Sequence, residues 1–146
     1  MSPGRPDEGA IRRHLAALDE ALQVLRRHQG RGIDALRSDR EELWVVEHGL
    51  QLCAQSVLDV ATHIAASAGR DVHDYAAAID RLAELGTLPR PFADRFRGVA
   101  GFRNVLVHGY LELDVEIVHR LLNERLDDFV AFAAHVNTYL AAQPGK

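Results

Sequence analysis

Cysteine is nearly absent. Cys53 is the only one in 146 residues, so no disulfide can close within the chain, and the count suits a reducing compartment. A long apolar run is missing as well. The most apolar stretch, residues 43–68, is interrupted by Glu47, His48, Gln51, Gln55, Asp59 and His63, more polar groups than a bilayer core accepts. The first ten residues, MSPGRPDEGA, lack the apolar segment of a secretory signal. The expectation is a cytoplasmic protein with no membrane association. There is also no excess of positive charge. The formal net charge is −4, which argues against a protein that coats nucleic acid through many phosphate contacts. A local basic site remains open, because residues 89–110 hold Arg90, Arg95, Arg97 and Arg103 against a single acid, Asp94. No segment alternates with period two over strand length, and no repeat is visible, so neither a sheet nor a solenoid is expected.

What the chain does have is helical periodicity. The length suits one domain, and 47% apolar residues can build a core. Residues 1–8 read as a loose tail, 9–142 as one helical domain, and 143–146 as a second tail. Ile11, Leu15, Leu18, Leu22 and Leu25 recur at steps of three and four, making one stripe of an amphipathic helix that Gly30-Arg31-Gly32 breaks. Ser38-Asp39-Arg40-Glu41 has the pattern of a capping box, with Ser38 and Glu41 each satisfying an orphan N–H. It opens a long helix with the stripe Leu43, Val46, Leu50, Cys53, Val57, Val60 or Ala61, and Ile64, ended by Gly69. A short helix follows over residues 74–85, stopped by Gly86. Pro89 and Pro91 open another, which carries Phe92, Phe96, Val99, Phe102 and Leu106 into the segment RNVLVHGY at residues 103–110. Asp114 caps a last helix that buries Val115, Val118, Leu122, Phe129, Ala133, Val136 and Leu140. Four major helices and one short one predict an all-α fold, an antiparallel four- to five-helix bundle.

The chemistry concentrates in RNVLVHGY. On a helix, Asn104 and His108 are four apart and share a face, so the amide can orient the imidazole. Arg103 and His108 are five apart, about 140° around an ideal helix. They do not converge on one small group within a straight helix. Either the last turn unwinds at Gly109, or a second copy of the chain completes the site. These side chains suit a phosphodiester. Histidine takes a proton from a 2′-hydroxyl or gives one to the departing 5′-oxygen, and arginine offers a permanently charged fork to the phosphate. Neither step needs a metal, and the internal nucleophile belongs to RNA alone. The plainer alternative is structural: Arg103 and His108 capping carbonyls or pairing with an acid, and Tyr110 packing its ring with a wet hydroxyl.

The segment resembles the R-x4-H-x-Y signature of HepT-like toxins, a branch of the HEPN ribonucleases, at Arg103, His108 and Tyr110, with Asn104 in its usual place. The similarity extends to LDVATHI at residues 58–64, DYAAAIDRLAELG at 74–86 and GFRNVLVHGYLELD at 101–114, and departs from it at Val72-His73, where a proline is expected. The resemblance implies a HEPN-like bundle that forms a homodimer, setting two motifs about one cleft with Arg103 of one copy near His108 of the other. It implies a metal-independent endoribonuclease toxin with an RNA substrate, no cofactor and 2′,3′-cyclic phosphate products. Its partner would be an MNT-type nucleotidyltransferase antitoxin that attaches AMP to Tyr110. Added bulk and negative charge at that position oppose an RNA phosphate.

Beside the motif, His48, Gln55, Asp59, Thr62 and His63 form a polar stripe along the long helix. It either faces solvent or borders the cleft, with Asp59 and His63 supporting Arg103. Asp59 and His63 are also spaced to pair, and two such groups alone are a weak indication of a metal site. The remaining histidines, His14, His28, His73, His119 and His135, are expected at the surface. A non-catalytic helical adaptor that docks a nucleotidyltransferase is the alternative function, and the net acidity favours it.

Overall fold

The computed structural model describes residues 6–99, 101–102 and 114–143. The described residues form seven helices and no strand: α1 (Glu8–Arg26), α2 (Ile33–Ser38), α3 (Arg40–Ser67), α4 (Tyr75–Glu84), α5 (Arg90–Phe96), α6 (Val115–Glu124) and α7 (Leu126–Ala141). The all-α bundle expected from the periodicity is what the chain adopts.

Helix α3 runs through the middle and packs on α1, α2, α4, α6 and α7. Its stripe explains why. Val46, Leu50, Cys53, Val57, Val60, Ala61 and Ile64 are completely enclosed, and Leu43 is nearly so. The α1 stripe is buried against it throughout, from Ile11 to Leu25. The helices lie close at Gly49, where an added methyl would meet Leu25 Cδ2 at 2.7 Å and Cγ at 2.9 Å. Below α3, Phe92 and Phe96 stack at 5.0 Å and Phe96 stacks on Phe132 at 5.3 Å, fastening α5 to α7 through offset aromatic contacts.

Helix ends follow local chemistry, with some departures from expectation. Asp7 accepts from Ala10 N and caps α1, so the helix begins one residue inside the expected tail. The cap of α3 is Asp39, which accepts from Glu42 N at 3.0 Å. The expected Ser38–Glu41 box is thus displaced by one residue, because Ser38 Oγ instead donates to Ala35 O at the end of the unforeseen helix α2. Gly69 (φ 73°) and Gly86 (φ 79°) close α3 and α4 in left-handed geometry, with Arg70 N donating to Ala65 O and Thr87 N to Leu82 O.

Two helices are shorter than their periodicity suggests. Residues 97–98 interrupt α5 as a turn, and helical backbone resumes at Val99; Gly98 weakens a helix at that point. The last helix breaks at Arg125 (φ −120°, ψ −2°), with no Gly or Pro to announce it. Side-chain bonds pull α6 elsewhere: Asn123 accepts from Gly30 N at 2.9 Å, and Gln29 donates to Leu122 O at 2.9 Å. These bonds tie α6 to the α1–α2 connection, while α7 lies against α1 and α3.

Candidate functional site

Arg103, Asn104, His108 and Tyr110 lie outside the described residues. The surroundings of the motif are nevertheless well defined. Phe102, the residue before it, is packed on the core and lines a cavity of about 480 Å³ with Phe96, Val99, Ile117, Leu121 and Phe129; Arg120, Arg125 and Asp128 supply its polar groups. Asp114, on the far side of the motif, caps α6 by accepting from Glu116 N at 3.0 Å and Ile117 N at 3.3 Å.

The arginines that precede the motif are paired. Arg97 Nε donates to Asp80 at 3.1 Å, Arg90 lies 3.6 Å from Asp80 and 3.5 Å from Asp94, and Arg95 lies 4.0 Å from Asp128 while covering the Phe92 ring at 5.3 Å. All three are about half exposed. Carboxylates of Asp80, Asp94 and Asp128 therefore offset the local positive balance read from the sequence. Exposed pairs of this kind contribute little stability each.

Along the polar stripe of α3, His48 and His63 are exposed and Gln55, Asp59 and Thr62 are half-buried. Asp59 engages Gln55 Nε2 at 2.9 Å and, across the helix pair, His14 Nδ1 at 3.9 Å. The His14 ring in turn stands 5.6 Å from that of His63. His14, a residue of α1 expected among the scattered surface histidines, thus lies beside both Asp59 and His63. Nothing local could have found it, since it lies 45 positions before Asp59. Thr62 turns inward to its own backbone, donating to Leu58 O at 2.8 Å. Among the described residues no three His, Cys, Asp or Glu groups are gathered so as to hold a metal ion, and no helix is long and apolar enough to cross a membrane.

Two further histidines are structural. His28 Nδ1 lies 2.8 Å from Glu42 Oε2, and His119 Nε2 lies 3.1 Å from Arg31 O. Cys53 is enclosed, and burial pushes its thiol up to about 12. That leaves it without thiolate at neutral pH.

Comparison with known proteins bears directly on the motif. The sequence model of the family described as Ribonuclease HepT-like matches residues 18–136, a span that contains RNVLVHGY. The chain belongs to this HepT-like family. Among curated relatives, the mRNA nuclease HepT of Shewanella oneidensis is 30% identical over 84 residues, covering 57% of this chain and 63% of the relative. The chain thus aligns with less than two thirds of that protein's length. The tRNA nuclease HepT of Aphanizomenon flos-aquae is 26% identical over 132 residues, 89% of each protein. Among solved structures, the tri-AMPylated HEPN toxin of Shewanella oneidensis in complex with an MNT antitoxin superposes with a TM-score of 0.78 at 24% identity, over 88% of this chain and 96% of that one. The cytosolic protein YutE of Bacillus subtilis reaches 0.81 at 17% identity, over 97% and 96%. At such identities the structural likeness speaks for the fold alone, which the present chain shares with both.

Proposed function

We propose that this chain is the toxin of a toxin–antitoxin pair, a metal-independent endoribonuclease that works as a homodimer through Arg103, Asn104 and His108. The observation that carries the reading is the R-x4-H-x-Y spacing of Arg103, His108 and Tyr110 inside the residues that the HepT-like family matches. His108 takes the proton of the 2′-hydroxyl as that oxygen attacks phosphorus. Arg103 offsets the charge gathering on the phosphoryl oxygens, and the 5′-oxygen leaves with a proton given back by the His108 imidazolium. The products are a 2′,3′-cyclic phosphate and a free 5′-hydroxyl. Asn104, one turn before His108, fixes the imidazole. Arg103 and His108 are about 140° apart on a straight helix, and in the dimer a second copy brings one of each to the same phosphate. Asp59 and His63, with His14 beside both, border this cleft and support it.

Control resides at Tyr110. An MNT-type nucleotidyltransferase antitoxin transfers AMP from ATP to its hydroxyl, with pyrophosphate leaving, and so places a phosphate where the RNA backbone must lie. The named relatives act on mRNA and tRNA; RNA is therefore the substrate class assigned to this chain. One observation favours a second reading, a helical adaptor that docks a nucleotidyltransferase without cleaving: the arginines of α5 are already engaged by carboxylates. Expression in a host cell separates the two. The ribonuclease reading expects growth arrest from the wild type and none from folded Arg103→Ala or His108→Ala. Full arrest by both folded variants refutes it.

A further inference from the structure

The cavity at the end of α5 is lined from both flanks of the motif segment. Phe102, the residue bonded to Arg103, contributes from one flank, and Ile117, Arg120 and Leu121 of α6 contribute from the other. From this lining we propose that the cavity is a nucleobase subsite of the ribonuclease. It takes an unpaired base of the RNA strand beside the bond that is cut, stacked on Phe102, while Arg120 at its rim holds that nucleotide's phosphate. The inference rests on the ribonuclease reading above and says where the strand is gripped.

Shape and lining suit a base. At about 480 Å³ the cavity falls in the range of roughly 300–1,000 Å³ of sites that hold small planar groups. Phe96 and Phe129, enclosed and edge to face at 5.7 Å, make its apolar floor. Phe102 is only partly buried, so part of its ring is left for a base to stack on, and any base can do so. Gly98 and Gly101 keep the lining open beside it, since an added Cβ at either meets nothing within 4 Å.

The charges point to a nucleotide rather than to a purely apolar ligand. Arg125 Nε lies 2.8 Å from Asp128 Oδ2, and Arg95 lies 4.0 Å from the same carboxylate. Arg90 and Arg97 are engaged by Asp80. Arg120 differs. It is exposed, and among the described residues its side chain has no ion pair or hydrogen bond. Of the described arginines from Arg90 to Arg125, it alone keeps its guanidinium for an incoming anion. On α6 it stands three positions from Ile117 and beside Leu121, on the face that lines the cavity. There its stem can cover apolar wall while its charged fork stays in water at the rim. An aromatic wall with one unpaired arginine at its edge matches a flat base joined through its sugar to a phosphate.

The test separates grip from cleavage. A fluorescein-labelled single-stranded RNA of mixed sequence with 2′-fluoro sugars has lost the internal nucleophile and is not cut; its binding is followed by fluorescence anisotropy. An abasic strand of the same length is the control. Gly98→Trp fills the cavity from a position whose φ is not positive and where a Cβ has room. Arg120→Ala removes charge from an exposed position. Each variant is expected to keep its helical circular dichroism and to bind the 2′-fluoro RNA about 10-fold more weakly or worse, within the range for a lost base–aromatic stack. Gly98→Trp is expected to bind the abasic strand as the wild type does, whereas Arg120→Ala still binds it more weakly. In parallel, RNA carrying 4-thiouridine should cross-link on irradiation to the peptide that contains Phe102, a readout that stands even if Gly98→Trp fails to fold. Wild-type affinity in both folded variants, with cross-links elsewhere, overturns the subsite and leaves the ribonuclease reading in place. A loss in Gly98→Trp that the abasic strand shares overturns it as well, because the substitution has then disturbed the neighbouring motif rather than displaced a base. If the chain's own apolar residues fill the cavity, Gly98→Trp lowers Tm and leaves the affinity unchanged, which also overturns it. A wild-type chain that neither binds the strand nor cleaves RNA overturns both readings.

Discussion

Replacing Glu42 with glutamine tests the least obvious element of the fold. Its side chain is only 8% exposed and sits on the first turn of α3. Arg31 Nη1 donates to Oε2 at 2.7 Å and lies 2.7 Å from Oε1, while His28 Nδ1 lies 2.8 Å from Oε2. One carboxylate therefore ties α3 to the connection between α1 and α2. That connection in turn holds α6 through Gly30, Gln29 and the carbonyl of Arg31. Glutamine keeps the shape and removes the charge. Hydrogen bonds to charged groups contribute about 1.5–3 kcal/mol against about 0.5–1.5 for neutral ones, so two weakened contacts suggest a loss of about 2 kcal/mol. Arg31 is 48% exposed and regains water when released, which lowers the figure to about 1–2 kcal/mol. For a chain of this size that is a fall in Tm of about 3–6 °C. Urea and thermal unfolding followed by circular dichroism measure it, and a double-mutant cycle with Arg31→Ala should show coupling of at least about 0.5 kcal/mol. A change within about 0.5 kcal/mol, as at an ordinary surface position, together with no coupling, would refute the reasoning.

Gly49→Ala should destabilise by about 1–3 kcal/mol, because the new methyl overlaps the enclosed Leu25 and forces α1 away from α3; an unchanged urea midpoint contradicts this. Cys53, with its thiol pushed up to about 12 by burial, should resist a disulfide reagent at pH 8 and react only in denaturant; rapid labelling of the native chain would mean that α3 opens. When the chain is co-expressed with the proposed MNT-type nucleotidyltransferase, mass spectrometry should find AMP on Tyr110. An unmodified tyrosine in the neutralised complex argues against that mode of control and leaves direct blocking in its place.

Much of the scaffold was legible because it rests on local rules. The stripes of α1 and α3 are buried as their spacing demands, and Asp74, Gly69, Gly86 and Asp114 cap where their chemistry suggests. What escaped depends on partners distant in sequence. The break at Arg125 follows from bonds between α6 and residues near 30, and helix α2 from a six-residue segment too short to show a period. The proposed site divides in the same way. Arg103, Asn104, His108 and Tyr110 form a spacing that can be read in one line, whereas His14, which lies beside both Asp59 and His63, comes from another helix. The polar stripe of α3 was visible, but the apolar end of the same face was not, because Trp44, Val45 and Leu52 look like core until α3 is seen to leave them outside.

The central claim is that His108 cleaves RNA without a metal. Purified wild-type chain and His108→Ala are incubated with total RNA in excess EDTA, after circular dichroism has shown both to be helical. The expected result is cleavage by the wild type, ends carrying 2′,3′-cyclic phosphate, and a loss of at least about 100-fold in His108→Ala, the scale of a general acid–base contribution. Equal cleavage by both proteins, or none by the wild type, would contradict it.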